Sequence, residues 1–460
     1  MLLGHNLNKP AGRDSFRKPN PSQSRLIAFD LITQVNRGGA YANLRLPELL
    51  SQSSLDQRDR GFVTELSYGT LRMQGRHDYA ISQKIDRPFS QLDENVVDLL
   101  RLGIHQLFEM RVSDHAAVSE TVELARKVAG ESKASFINAI LRAISSDPEI
   151  YVRLEEDSHI DLIDKLSIIY SHPAWIVSAY HDQLKDWEEV RKLLAINNQP
   201  VAPNLVAWPG KSTVEELLET GGERLPLSNF GVLSDHLPNE YPAIKDKRAG
   251  VQDVGSQLLS EIFLATATEK DLAWLDMCSG PGGKAALIFN YLNTHRPNDS
   301  FTANEPSSHR ADLVARVIPR DKILTNDGRD FQSFGKSFDR ILIDAPCSGL
   351  GALRRRPEAR WRKSLTDLKE LVPLQRDLID SAYKMLNPGG LIAYATCSPH
   401  LAETTAQVLD TKHRHKDLEL LPISDFSPQG EIGMKVDGTM QLWTHLQECD
   451  SMFLAIFRKP

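Results

Sequence analysis

The chain has 460 residues, 41% hydrophobic and 25% charged, the balance of an ordinary soluble globular protein with room for two to four domains. A formal net charge of −7 argues against a protein that coats nucleic acid non-specifically, yet leaves space for a local basic track. No apolar run approaches the roughly 18 residues of a membrane span, and the N-terminus lacks the apolar core of a secretory signal, so a cytoplasmic location without a membrane partner is expected.

Residues 1–23 are polar and rich in Pro, Gly and Ser, with Lys9, Arg13, Arg17 and Lys18 against Asp14; they read as a flexible basic tail. Residues 24–147 read as an all-α bundle. Leu26, Phe29 and Ile32 share one helical face, widened by Leu31 and Val35 and ended by Gly38-Gly39. The stretches RGFVTELSYGTLR, ENVVDLLRLGIHQLFEM, HAAVSETVELARKVAG and KASFINAILRAIS repeat that pattern, and their stripes are read as core. Asp147-Pro148 marks a break. Residues 148–250 mix helical SHPAWIVSAYHDQL, WEEVRKLLAINNQ and KSTVEELLETGG with the strand-like NLVAWPG, which suggests a small α+β linker module. Over 251–460 strands (AWLDMC, SFTANE, KILTND, FDRILIDAP, GLIAYATC, SMFLAIFRK) alternate with amphipathic helices, the pattern of a Rossmann-like α/β domain with a parallel, doubly wound sheet.

Four cysteines, Cys278, Cys347, Cys397 and Cys449, lie far apart without a CxxC pair. A structural metal is therefore not expected, and without a secretory signal the thiols should be reduced. Two of them carry more information. Cys347 in DAPCSG and Cys397 in YATCS each follow an apolar strand, where open α/β sheets hold their ligands. Asp344 stands three residues before the first.

Strand AWLDMC runs into SGPGGK and a helix. Closely spaced glycines let backbone approach a ligand, and a helix start offers free N–H groups. A nucleoside-triphosphate loop would need Gly at 278 and Ser or Thr at 285, where Cys278 and Ala285 stand. The dinucleotide pattern read from Gly280 would need Gly at 285 and also fails. S-adenosylmethionine (SAM) remains. Glu305 ends the next strand, suited to ribose hydroxyls, and Asp327 follows the one after, placed for the adenine amino group.

Together, CSGPGGK, ANE, NDG, DAPCSGLGALRRRPE and YATCS resemble the motifs of RNA cytosine-C5 methyltransferases of the NOL1/NOP2/Sun family. ETVELARKVAGESKASFINAILRAIS resembles the NusB RNA-binding fold, and the combination resembles the bacterial small-subunit (16S) ribosomal RNA methyltransferases of the RsmB/Sun/Fmu group. The resemblance spans residues 24–460. It implies that Cys278, Ser279, Gly280, Pro281, Gly282, Gly283, Lys284, Glu305, Asp327 and Asp344 contact SAM. It also implies that Cys397 is the nucleophile and that Cys347 assists release of the methylated product. Ser279-Gly280 stands where the family more often has two alanines, and Glu403 falls on a family acid less securely.

The chemistry accounts for such residues. Cytosine C5 is too poor a nucleophile to attack a sulfonium methyl, but a thiolate added at C6 makes an enamine whose C5 can. An acid at N3, here Asp344, drives the addition. Pro-Cys is also the nucleophile motif of DNA cytosine-C5 methyltransferases, so Cys347 is the alternative attacker. Behind it, Arg354, Arg355, Arg356, Arg360 and Trp361, with Arg362 and Lys363, read as an RNA-binding track: guanidinium groups for phosphates and an aromatic for an unstacked base. The expected partner is small-subunit ribosomal RNA, met by a monomer. Transfer RNA as substrate, or a non-catalytic assembly factor on the same scaffold, are the competing readings.

Overall fold

The computed structural model describes residues 19–270 and 272–460. Most of the expected basic tail lies outside them. The chain divides into two compact units, one ending at Glu156 and one beginning at Asp157.

The first unit is helical: α1 (Gln23–Asn36), α2 (Ala42–Ser51), α3 (Gln57–Arg72), α4 (Gln74–Ser82), α5 (Glu94–Phe108), α6 (Asp114–Ala129), α7 (Glu131–Ser145) and α8 (Ile150–Glu156). Side-chain caps start several of them. Asp56 accepts from the Asp59 amide, Asp93 from those of Asn95 and Val96, and Ser113 from that of Ala116. Helix α5 is the centre of the bundle, with every residue from Val96 to Gln106 buried. Its buried Asp98 and Arg101 are paired, to Arg37 at 2.7 Å and to Asp78 at 2.6 Å. The apolar stripes do form one core. The helical unit runs past Asp147-Pro148, because Asp147 binds Lys84 at 2.6 Å and Arg153 at 2.7 Å and so ties α8 back onto it.

The second unit joins what the sequence divides at residue 250. Helices α9 (Leu162–Ile169), α10 (Ala174–Leu184) and α11 (Trp187–Ile196) share a core with Leu350, Leu353 and Trp443. Strand β1 (Asn204–Ala207), helix α12 (Val214–Thr220), strands β2 (Glu223–Arg224) and β3 (Gly231–Leu233), helix α13 (Pro242–Lys245) and strand β4 (Ala249–Val251) follow. The strands form a small sheet of order β2-β3-β1-β4. Val206 and Trp208 at β1 pack on Ala286 and Leu287, so the small sheet has no separate life from the domain that follows.

That domain contains α14 (Val254–Ala265), β5 (Ala273–Asp276), α15 (Gly283–His295), β6 (Ser300–Asn304), α16 (Ser308–Val314), β7 (Ile323–Leu324) and β8 (Phe338–Asp344). It continues with α17 (Ala359–Arg362), α18 (Leu365–Met385), β9 (Leu386–Thr396), α19 (Thr405–Arg414), β10 (Glu419–Leu421), β11 (Met440–Gln441), α20 (Thr444–Gln447) and β12 (Phe453–Arg458). The main sheet has the order β10-β12-β9-β8-β5-β6-β7. Side chains alternate between its two faces: Leu391, Ala393 and Ala395 of β9 join one core, Ile392 and Tyr394 the other. The run β7-β6-β5-β8-β9 is parallel as expected, but β12 is antiparallel to β9, and the sheet is mixed. The cause is local. Phe453 starts β12 opposite Thr396, where β9 stops, so the strand can only run back along it. The chain switches sides of the sheet between β5 and β8, the place where such sheets bind ligands.

Candidate active site

The glycine loop leaves β5 at this switch point. Ser279 fastens it to the end of β6, donating from its amide to Asn304 O at 2.9 Å and from its hydroxyl to the same oxygen at 3.1 Å. At Gly280 an added Cβ would lie 2.1 Å from Glu305 Oε2, so the absence of a side chain lets that carboxylate close on the loop. Glu305 is buried, 3.4 Å from Arg310, which also donates to Gly280 O. Gly282 has φ 115°, and a Cβ there would lie 2.8 Å from Val317. Pro281, between them, follows a cis bond. Gly283 then opens α15, and Lys284 in its first turn reaches across to Asp344 Oδ2 at 2.8 Å. Burial pulls the Lys284 ammonium down, but the charge and hydrogen bond of Asp344 outweigh it.

Asp276, absent from the residues expected from sequence, ends β5 completely buried, and neither carboxylate oxygen makes a full hydrogen bond. Burial, then the charge of Asp344, pushes its carboxyl up to about 7, with Lys284 and the Cys278 amide acting against them. An acid closing an otherwise apolar strand was the available signal. The Cys278 thiol is driven well above its ordinary range by burial and by the charges of Asp276, Asp344 and Glu305. Asp327 stands past β7, its carboxylate gripped by Arg329 at 2.6 Å and held low by that contact.

The two cysteines meet. Asp344 ends β8 and Thr396 ends β9, neighbouring parallel strands, and just beyond them Cys347 Sγ and Cys397 Sγ stand 3.3 Å apart. Each is partly exposed. The contact with Cys397, then burial, then the charges of Cys397, Glu403 and Asp344 drive the Cys347 thiol well above its usual range. Cys449 is buried elsewhere, near Gly255.

The expected RNA track does not survive as a unit. Arg360 is fully buried and donates to Ser171 O at 3.0 Å, Asn198 Oδ1 at 2.8 Å and Asn197 O at 3.2 Å. Arg355 is clamped by Asp253 at 2.6 Å and Asp450 at 3.0 Å, and Arg354 donates to Pro200 O at 2.9 Å. Planar guanidinium groups make good internal ties when carbonyls and carboxylates surround them, and these bind α17 and its approach to the rest of the second unit. Trp361 is half-buried; Arg356 and Arg362 are exposed.

A buried carboxyl without a full hydrogen bond beside a glycine loop suits a cationic ligand, the start of α15 suits a carboxylate group, and buried Glu305 suits paired hydroxyls. SAM has all three features. Fold and loop together define a SAM-dependent methyltransferase. Comparison with known proteins specifies which kind. The family model for the 16S rRNA methyltransferase RsmB/F matches residues 262–458, and that for the NusB family residues 22–146. The Mycobacterium tuberculosis protein Rv1407, which carries a methyltransferase name, is 40% identical over 98% of this chain and 99% of its own. The ribosomal RNA small subunit methyltransferase B of Pectobacterium carotovorum is 29% identical over 94% of this chain and 97% of its own. The crystal structure of PH0851 shares the fold, with a TM-score of 0.79 at 19% identity, over 96% of this chain and 100% of that one. The chain belongs to the RsmB/F family of methyltransferases, with a NusB-family domain in its N-terminal part, and is a SAM-dependent RNA methyltransferase. Among the described residues no helix is long and apolar enough to cross a membrane, and no cluster of side chains could hold a metal.

Proposed function

We propose that this protein methylates C5 of a cytidine in small-subunit (16S) ribosomal RNA through a covalent adduct at C6. The observation that carries this reading is the contact of two thiols, 3.3 Å apart, beside Asp344 and the glycine loop. Cys397 attacks C6 as thiolate. Asp344 accepts from the Lys284 ammonium at 2.8 Å, and a proton passed along that contact to its carboxylate is donated on to N3, which favours the addition. C5 then takes the methyl group, which SAM supplies as an electrophilic sulfonium substituent. A base removes the C5 proton, the C5–C6 double bond re-forms as the C6–sulfur bond breaks, the leaving Cys397 sulfur takes a proton from the Cys347 thiol 3.3 Å away, and N3 returns its proton to Asp344. The loop from Cys278 to Lys284, with Glu305 and Asp327, holds SAM. The target base must leave its stack to reach the thiols. Arg356, Arg362 and half-buried Trp361, with the NusB-type unit, contact RNA.

Incubation of the purified protein with tritiated SAM and small-subunit RNA should label a single cytidine at C5. Label on transfer RNA alone, or none, overturns the reading. RNA bearing 5-fluorocytidine should trap the protein covalently. Cys397→Ala should abolish trapping, and trapping retained there but lost in Cys347→Ala reverses the two roles.

A further inference from the structure

Beside the cysteines lies a buried carboxylate that the proposed chemistry does not use. Glu403 is fully buried, in the short turn Leu401–Glu403 that follows Cys397. Its Oε1 accepts from the Ser348 amide at 2.8 Å and from Gln375 Nε2 at 3.1 Å, while Oε2 accepts from the Ser348 hydroxyl. Gln375 Nε2 also donates to Pro346 O at 2.9 Å, so both neighbours of Cys347 are held. On the other side, Ser348 Oγ stands 3.0 Å from Ser398 Oγ, the residue after Cys397. The turn is itself anchored: the Tyr394 hydroxyl of β9 donates to Glu403 O at 2.8 Å. Burying a carboxylate is costly, and removing its partners would leave it uncompensated. Here its partners are the residues that carry Cys347.

We propose that Glu403 is a positioning residue, which holds the Cys347 loop through Ser348 and Ser398 against the Cys397 turn so that the two sulfur atoms meet in one fixed arrangement. Its charge works in the same direction. With Cys397, burial and Asp344, it keeps the Cys347 thiol protonated, so that the paired cysteines do not exchange roles. The inference rests on the thiol chemistry proposed above.

The test uses the full-length protein and the variants Glu403→Gln, Ser348→Ala and the double variant. Glu403→Gln keeps the size of the side chain and removes its charge. Both single variants should bind SAM with a Kd within about twofold of the wild type, since neither residue belongs to the glycine loop. Methyl-transfer kcat should fall roughly tenfold to a hundredfold in each, the scale of a displaced reacting group. The double variant should lose no more than the worse single one, because the two residues act as one unit. Alkylation of Cys347 by iodoacetamide, followed by peptide mass spectrometry against pH, should shift lower by about half a unit or more in Glu403→Gln, a readout a purely structural role would not move. The inference is overturned by a kcat within about twofold of wild type in Glu403→Gln, by additive losses, or by an unchanged alkylation profile. Ser348→Ala removes one hydroxyl and leaves the carboxylate its amide and Gln375 partners, so it carries the kinetic test should Glu403→Gln fail to fold. If the wild type methylates no RNA, the functional reading fails, while the alkylation profile still decides on Glu403.

Discussion

Replacing Asp276 with Asn should stabilise the second unit at neutral and alkaline pH, by an amount that grows as the pH rises to about 7 and is constant above it. Asp276 exposes none of its surface and makes no full hydrogen bond. Burial above all, then Asp344, raises its carboxyl from 3.8 to about 7. The folded protein therefore holds this proton more tightly than the unfolded chain does. The unfolded chain releases it as the pH rises through 3.8, the folded protein only near 7. The stability due to this group is complete below the lower value, is lost between the two, and stays lost above the higher one. At about 1.4 kcal/mol per unit, the shift sets a ceiling on the order of 4 kcal/mol. Relaxation around the carboxylate and the cost of burying the Asn amide bring the gain at pH 8 to about 1–3 kcal/mol. Urea unfolding at a series of pH values, followed by tryptophan fluorescence that reports buried Trp274, measures the difference. A wild-type and variant pair whose difference in stability is constant between weakly acid and weakly alkaline pH would refute the reasoning.

Three further outcomes are expected. Arg360→Leu removes the donor to Ser171 O, Asn197 O and Asn198 Oδ1. It should cost about 3 kcal/mol in urea unfolding and leave the RNA affinity of the folded protein unchanged; a selective loss of RNA binding would return Arg360 to the RNA surface. Lys284→Met strands Asp344 near Asp276, so it should destabilise more at pH 8 than at pH 5 and lower turnover at least about tenfold, measured as tritium transfer to RNA. Arg356 is exposed, and Arg356→Ala should weaken RNA binding a few fold at low salt and less at high salt, read by filter binding; a salt-independent loss would point to folding instead.

Much of the site was legible because its signals are local. Strand AWLD, the turn SGPGGK and the start of α15 are consecutive, so the loop follows from residue order and glycine conformation. The strand ends that carry Asp344, Cys347 and Cys397 follow likewise from apolar runs that stop at turn residues. The arginines behind Cys347 show where such reading stops. A basic run looks alike whether it meets phosphate or carboxylate. Arg355 meets Asp253 and Asp450, each about a hundred residues away in sequence, and Arg360 meets carbonyls of the turn after α11. Asp276 is hidden for a related reason: its altered proton affinity comes from complete burial and from the charge of Asp344, 68 positions on, which no single segment displays.

By itself, the order of residues determined the helical bundle, the strand–helix alternation and the identity of the glycine loop, since periodicity and turn chemistry act within a few residues. Only the tertiary structure decided that β12 runs antiparallel, that the middle module shares the core of the catalytic unit, and that two thiols 50 positions apart touch while a buried glutamate joins their loops. Those are matters of which distant surfaces exclude water together, and burial turns a basic or acidic residue from a solvated group into one that must find its partner.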